Sequence, residues 1–371
     1  IMRLLVISHL FNDVASGPSW SVPAYVDSLS KHDEVLWINT IEDFMPHWGN
    51  VRSYHKLSEF GRLCLKNMPV FFQKPDIVVF QGFNFIEQPL FAYELRSKHI
   101  PYIIVPRGSL TYKAINNHAK YKKWIAHKLL LNRFVHKASS IQYLTKEEYE
   151  DSGTKWNKNN FVLSNGFSNN IVKERFSENS IKGIFIGRLD LYHKGIDNLL
   201  NAVEIVANEM RKSNFTISFY GPYKYDYTKI EEFIKNKNLS DILSIHGPIS
   251  GKEKTEALLN SDLFFLTSRF EGHPMGLIEA LSYGLPAFVT HGSNMLNEIR
   301  DTNSGWAIEH NNKEEIANAI LAVIEKTEDL YSKGQNAREL SLRYDWTNLA
   351  EKLHNILIDI VHAYSEQDVQ I

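Results

Sequence analysis

Short apolar runs alternate with longer amphipathic segments along the whole chain, and that rhythm limits the fold more than any other feature. Runs at 4–7, 34–38, 76–80, 102–105 and 140–144 have the length and apolar content of buried strands, with stretches of helical length between them. A second series follows Asn165-Gly166. Its strand-like runs lie at 183–186, 215–220, 242–246, 263–266 and 287–290, and its helix-like segments at 196–211, 228–236, 252–260 and 275–283. Parallel neighbours need crossovers long enough to hold a helix, so the expected class is α/β with two successive doubly wound sheets. A length of 371 residues agrees, at about 150 residues per domain. The polar, weakly periodic stretch 167–182 is the expected connection. The predicted domains are 1–167 and 168–345, followed by 346–371, where Leu349, Leu353, Ile356, Leu357, Ile360 and Val361 form a helical stripe that needs a partner.

Charge and cysteine content narrow the function. A formal net charge of -2 exerts no global pull on nucleic acid, and no recognised nucleic-acid module is present. With Cys64 as its one cysteine, the chain has neither an intramolecular disulfide nor a cysteine cluster for zinc, which suits a reducing cytoplasm. No apolar run approaches the roughly 20 residues that cross a bilayer, and the opening Met2-Arg-Leu-Leu-Val-Ile-Ser8 reads as a buried strand rather than a signal peptide. The neutral total hides an asymmetry. Residues 95–146 contain no Asp or Glu, yet carry Arg96, Lys98, Arg107, Lys113, Lys120, Lys122, Lys123, Lys128, Arg133, Lys137 and Lys146. Cations interleaved with Trp124, Ile125 and Leu131 on a predicted helix suit an anionic membrane surface through residues 113–137, at the inner face of the cell membrane. The plain alternative is a core-packing helix with a solvated basic face.

Two carboxylates bracket the stretch Glu271-Gly-His-Pro-Met-Gly-Leu-Ile-Glu279, where an apolar strand gives way to a helix. Gly272 and Gly276 permit close approach of backbone to a ligand, and Pro274 fits an early helical position. Free N–H groups at such a helix start favour an anion, and the two acids stand about 10 Å apart if the helix runs between them. A sugar attached to a phosphate suits that arrangement. The alternative is a surface glutamate and a helical glutamate paired with a basic neighbour.

Gly187-Arg188-Leu189-Asp190 closes another strand and leads to His193-Lys194-Gly195 at the next helix. Ligands of open α/β sheets lie beyond the carboxyl ends of the strands, where a planar guanidinium and a mobile ammonium suit a diphosphate. Solvated turn residues are the alternative reading of both cations.

Taken together, Gly187-Arg188-Leu189-Asp190-x-x-x-Lys194-Gly195, Ser268-Arg-Phe-Glu271-Gly272, Glu279-Ala280, Gly284-x-Pro286 and Asn165-Gly166 resemble the retaining glycosyltransferases of family four, which have the GT-B fold. The motifs are dense over 163–309 and looser before it. The resemblance implies two Rossmann-like domains facing across a cleft, an acceptor-binding first domain, a nucleotide-sugar-binding second domain and a last helix that crosses back to the first. It further implies that Arg188 and Lys194 hold the diphosphate, Glu279 the ribose and Glu271 the transferred sugar. Gly187 belongs to the same donor site, and backbone N–H groups across Gly272, His273, Pro274, Met275, Gly276 and Leu277 face the sugar and phosphate.

In the first domain, Gly17 lies where relatives have a glycine pair, the second glycine being replaced by Pro18, which removes one donor. Arg107 in Pro106-Arg107-Gly108 stands where relatives commonly carry histidine. An arginine is no general base near neutral pH, so its role there is to stabilise phosphate charge or orient an acceptor. No Asp-x-Asp triplet occurs, so no metal and no cofactor are expected beyond the nucleotide sugar as donor. The implied function is transfer of a hexose from a UDP-sugar to a saccharide or lipid-linked saccharide acceptor. A GDP-sugar mannosyl- or fucosyl-type transferase and a catalytically silent sugar-nucleotide-binding scaffold are the competing readings.

Overall fold

The computed structural model describes residues 1–12, 17–46, 52–83, 87–110, 124–152 and 156–369; for 124–129 and 367–369 it describes the backbone. Contacts divide the chain into two compact units, one made of 1–166 with 346–371 and the other of 167–345.

The first unit holds strands β1 (Arg3–Ser8), β2 (Glu34–Asn39), β3 (Tyr54–Lys56), β4 (Ile77–Gln81), β5 (Tyr102–Val105), β6 (Ser140–Tyr143) and β7 (Asn160–Val162). They form one parallel sheet in the order β3-β2-β1-β4-β5-β6-β7. Its central strands are buried on both faces, which is why β1, β4 and β5 read as nearly continuous apolar runs. The short outer strands β3 and β7 lack that signal and escape sequence reading. Helices α1 (Gly17–Leu29), α2 (Glu87–Ser97), α3 (Trp124–His136) and α4 (Lys146–Ser152) connect the strands. Leu131, Phe134 and Val135 of α3 are buried in the core of this unit, so these apolar residues are spent on packing. Of the basic segment read as a membrane surface, residues 113–123 and the side chain of Lys128 lie outside the described residues.

The second unit contains β8 (Ile181–Ile186), β9 (Phe215–Tyr220), β10 (Leu243–His246), β11 (Leu263–Leu266), β12 (Ala287–Thr290) and β13 (Gly305–Ile308). Again all neighbours are parallel, in the order β10-β9-β8-β11-β12-β13. Its helices are α5 (Ile196–Ile205), α6 (Ala207–Lys212), α7 (Tyr227–Asn236), α8 (Gly251–Leu259), α9 (Met275–Ser282), α10 (Leu296–Asp301), α11 (Lys313–Glu325) and α12 (Asp329–Ser341). The helix expected over 196–211 is thus interrupted at Val206, whose φ of -106° and ψ of 18° leave the α region. The polar stretch that begins at Phe167 is stitched to this unit: Lys173 pairs with the buried Asp262, and Arg338 donates to the Asn169 and Ser282 carbonyls.

The last helix, α13 (Trp346–Val369), packs with the first unit. Trp346, Leu349, Leu353 and Leu357 are buried with Val22, Tyr25 and Val26 of α1, and the His354 ring meets the Asp33 carboxylate at 2.7 Å. This accounts for the apolar stripe. Among the described residues no helix is long and apolar enough to cross a membrane.

Candidate functional site in the second unit

The strand order of the second sheet reverses around β8: the chain moves outward through β9 and β10, then returns to place β11 on the other side. Such a switch point opens a crevice at the carboxyl ends of the two central strands, because their following loops diverge. The loops after β8 and β11 carry Arg188, Lys194, Ser268 and Glu271.

The loop after β8 is shaped locally. The Asp190 side chain accepts the His193 N–H at 2.7 Å, and the Asp190 carbonyl accepts the Lys194 N–H at 3.1 Å. Gly195 then turns into α5 with a φ of 62°. A Cβ there would lie 1.9 Å from the Thr267 carbonyl oxygen, so only glycine fits. That close approach presses the two loops together. Thr267 Oγ1 donates to the Lys194 carbonyl at 3.2 Å, and Arg269 N–H donates to the His193 carbonyl at 3.0 Å. Arg269 also grips both Asp197 oxygens, at 2.7 and 2.9 Å, a two-point pairing that fixes the β11 loop on the start of α5.

Within this frame Lys194 Nζ lies 2.6 Å from Glu271 Oε1, their side chains 12% and 10% exposed. Ser268 Oγ donates to the same oxygen at 2.5 Å, and Asn294 Nδ2 holds the Glu271 carbonyl at 2.5 Å. The two residues assigned separately to phosphate and sugar are therefore partners of each other. Arg188 is different. Its guanidinium lies 5.9 Å from the Tyr225 ring centroid and makes no ion pair among the described residues, leaving its donors to solvent or an anion. Burial, Lys194 and Arg188 hold the His193 imidazole below its ordinary range, and His193 Nδ1 is buried without a hydrogen-bond partner among the described residues.

Helix α9 begins at Met275, with Pro274 just ahead of it at a φ of -82° and ψ of 78°. Glu279 is helical and Glu271 is not, so the helix does not run between the two acids, and Glu271 sits on a loop held through side chains. Backbone donors are also fewer than expected. Met275 N–H donates to the His273 carbonyl and Leu277 N–H to the Pro274 carbonyl, both at 3.0 Å, while proline has no N–H. Leu277 is fully buried in the core. Gly276 N–H makes no backbone hydrogen bond among the described residues, and Gly272 is exposed. His273 packs edge-on to Tyr344 with ring centroids 5.9 Å apart. Neither Gly272 nor Gly276 nor Gly187 is needed for close packing, since a Cβ would meet nothing nearer than 3.5 Å. Glu279 pairs through Oε2 with Lys254 of α8, which realises the basic-neighbour alternative for that residue.

In the first unit, Arg107 follows β5 in the left-handed region, with a φ of 53°. Its Nε and Nη2 donate to Gln81 Oε1 at 3.0 and 2.7 Å, and its Nη1 donates to Ser21 Oγ at 2.9 Å. Burial lowers its pKa to about 10, so it remains cationic. The neighbouring Gly108 N–H is bound by the buried carboxylate of Glu148, which burial pushes above the usual range. Gly17 opens α1, with open space where a Cβ would stand. Sequence reading did not single out Asp197, Asn294 or Lys254; only Ser268 and Arg269 had a visible signal, inside the Ser-Arg-Phe-Glu run.

The profile described as "Glycosyl transferases group 1" matches residues 167–340. An uncharacterized glycosyltransferase of Methanocaldococcus jannaschii is 27% identical over 185 residues, 50% of this chain and 49% of that protein. The poly(ribitol-phosphate) alpha-N-acetylglucosaminyltransferase of Staphylococcus aureus is 28% identical over 203 residues, 54% of this chain and 39% of that protein. These matches span half or less of the curated relatives. Anabaena HepE, in a crystal structure with UDP and glucose, has the same fold: a TM-score of 0.71 at 16% identity, covering 97% of this chain and 100% of that one. The chain has the GT-B fold, and residues 167–340, within its second unit, match the group 1 glycosyl transferase domain.

Proposed function

We propose that the chain is a retaining glycosyltransferase that moves a hexose from a UDP-sugar to a saccharide or lipid-linked saccharide in surface polysaccharide or glycolipid synthesis. The observation that carries this reading is the pairing of Lys194 with Glu271 between the loops that follow β8 and β11, with Arg188 on the first of those loops. Supporting it are the group 1 match over the same unit, UDP and glucose in HepE, and the named activity of the staphylococcal relative.

The chemistry follows from the charges. Negative charge builds on the departing diphosphate, and Arg188 and Lys194 are the cations that meet it, an effect worth several kcal/mol when donors are preorganised. Without an Asp-x-Asp triplet, that role needs no metal. Lys194 bridges phosphate and Glu271, so arrival of the diphosphate draws the ammonium outward while Ser268 keeps the carboxylate in place for a sugar hydroxyl. Glu271 is a positioning group, since same-face transfer needs no carboxylate nucleophile. Glu279 takes the ribose, and the first unit takes the acceptor, with Arg107 as a fixed positive charge.

A donor panel read by mass spectrometry tests the activity, and thermal shift with UDP against GDP tests the base. Glu279→Ala is expected to raise the donor KM, and Lys194→Ala to lower kcat by about 100-fold or more with transfer unaffected by chelator. Wild-type kinetics in both variants, or activity abolished by chelator and restored by Mn, overturns the assignment.

A further inference from the structure

We propose that Lys254 is the positioning residue for Glu279, and that this cross-helix pair reads the vicinal diol of the nucleotide, making the chain selective for ribose over deoxyribose nucleotides. The proposal rests on Glu279 as the ribose anchor and adds the residue that equips it for the task.

Lys254 stands in the first turns of α8 and Glu279 in the middle of α9, joined through Nζ and Oε2. The adjacent Thr255 Oγ1 lies 3.1 Å from Tyr283 Oη, one helical turn beyond Glu279. Two neighbouring residues of α8 therefore face Glu279 of α9 and Tyr283 at the C-terminal cap of that helix, four residues apart, and the contact is built into the packing of the two helices. The side chains of Lys254 and Glu279 are 25% and 14% exposed, so the pair is shielded yet reachable.

The chemistry of the pair suits a diol. A glutamate by itself only accepts hydrogen bonds and has several rotamers. With Oε2 held by the ammonium, Oε1 has no partner among the described residues, and the ammonium has further N–H groups to donate. Each ribose hydroxyl both donates and accepts. One hydroxyl can donate to Oε1 while the same hydroxyl or its neighbour accepts from Lys254. Removing the 2′-hydroxyl leaves part of this arrangement unpaired, which a site built on buried polar groups penalises. Burial, and after it the carboxylate of Glu253, raise the Tyr220 phenol above its ordinary value, so the start of α8 stands near the carboxyl end of β9, on the switch-point side of the sheet. An ordinary salt bridge between helices would affect stability and treat all nucleotides alike.

Calorimetric titration of UDP and 2′-deoxy-UDP, or of GDP and 2′-deoxy-GDP if the guanine nucleotides bind instead, separates the two cases. Wild type is expected to prefer the ribose form by about tenfold. Lys254→Met is expected to weaken the ribose form by about tenfold and erase the preference, raising donor KM with kcat within about twofold, while Lys254→Arg restores most of it. Should Lys254→Met fail to fold, Lys254→Gln serves the same measurement. A Lys254 variant that keeps the full preference, or weakens both nucleotides equally, overturns the proposal. Glu279→Gln separates the layers. If it loses the preference while Lys254→Met keeps it, Lys254 alone is misassigned; if it binds both nucleotides as wild type does, the ribose role of Glu279 falls and the proposal with it.

Discussion

Gly195 shows how a single position decides whether the site exists. Its left-handed backbone and the Thr267 carbonyl 1.9 Å from a would-be Cβ leave no room for a side chain. Gly195→Ala is expected to destabilise the second unit by about 3 kcal/mol or more, measured by urea denaturation. His193 gives a pH signature. Its folded pKa is depressed, by burial first and then by Lys194 and Arg188, so the unfolded chain takes up the proton before the folded one. The resulting contribution is complete above about pH 6.5 and is lost as pH falls through the folded value. In His193→Gln the fall in Tm between about pH 7.5 and pH 5.5 should be smaller than in wild type; an identical fall would exclude His193 as a source. The glycines at 187, 195, 272 and 276 look alike in sequence, yet only the one at 195 meets a steric demand, because that demand comes from the backbone of the loop after β11, about 70 residues away.

Among elements, the loops and the segment after Gly166 matter more than the helices they join. Lys173 and Asp262 form a buried pair, their side chains 6% and 0% exposed, and Asp262 also accepts the N–H groups of Ser177 and Lys182 at 3.2 and 3.0 Å. Burial holds the Lys173 ammonium below its ordinary value even beside this carboxylate. Asp262→Asn leaves that cation without its counter-charge and is expected to cost about 3–5 kcal/mol of stability in calorimetry, with fraying of the 167–180 segment visible to proteolysis. In the sequence this stretch looks like a free connection, since its polar residues give no periodicity. Its partners lie just ahead of β11 and on α12, and polarity alone does not distinguish a linker from a strap.

At the scale of the molecule, each unit has its own parallel sheet, and the chain's last helix completes the first unit rather than the one that precedes it in sequence. Leu353 is fully buried against α1 and the first sheet. Leu353→Ala is expected to cost about 2–5 kcal/mol and to speed hydrogen exchange in β1, α1 and β4, leaving β8 and β11 at wild-type rates. Uniform acceleration across both units would contradict independent cores. The central strands were legible because burial on both faces demands uninterrupted apolar runs. By contrast, β3, β7 and β13 are short outer strands, placed by pairing with a neighbour, and their three or four residues carry no pattern that separates them from loop.

Local chemistry in the sequence was enough to specify the α/β rhythm, the two-unit division, the apolar stripe of α13 and the gathering of cations and carboxylates at strand ends. Those properties depend on residues close in the chain, through periodicity and turn chemistry. Tertiary structure alone decided that Lys194 meets Glu271, that Lys254 meets Glu279, that Arg107 is tied to Gln81 and Ser21, and that Met275 and Leu277 spend their N–H groups inside the protein. The reason is physical: a charge or a hydrogen bond donor takes the partner that packing brings to it, and that partner is usually a residue distant in the chain.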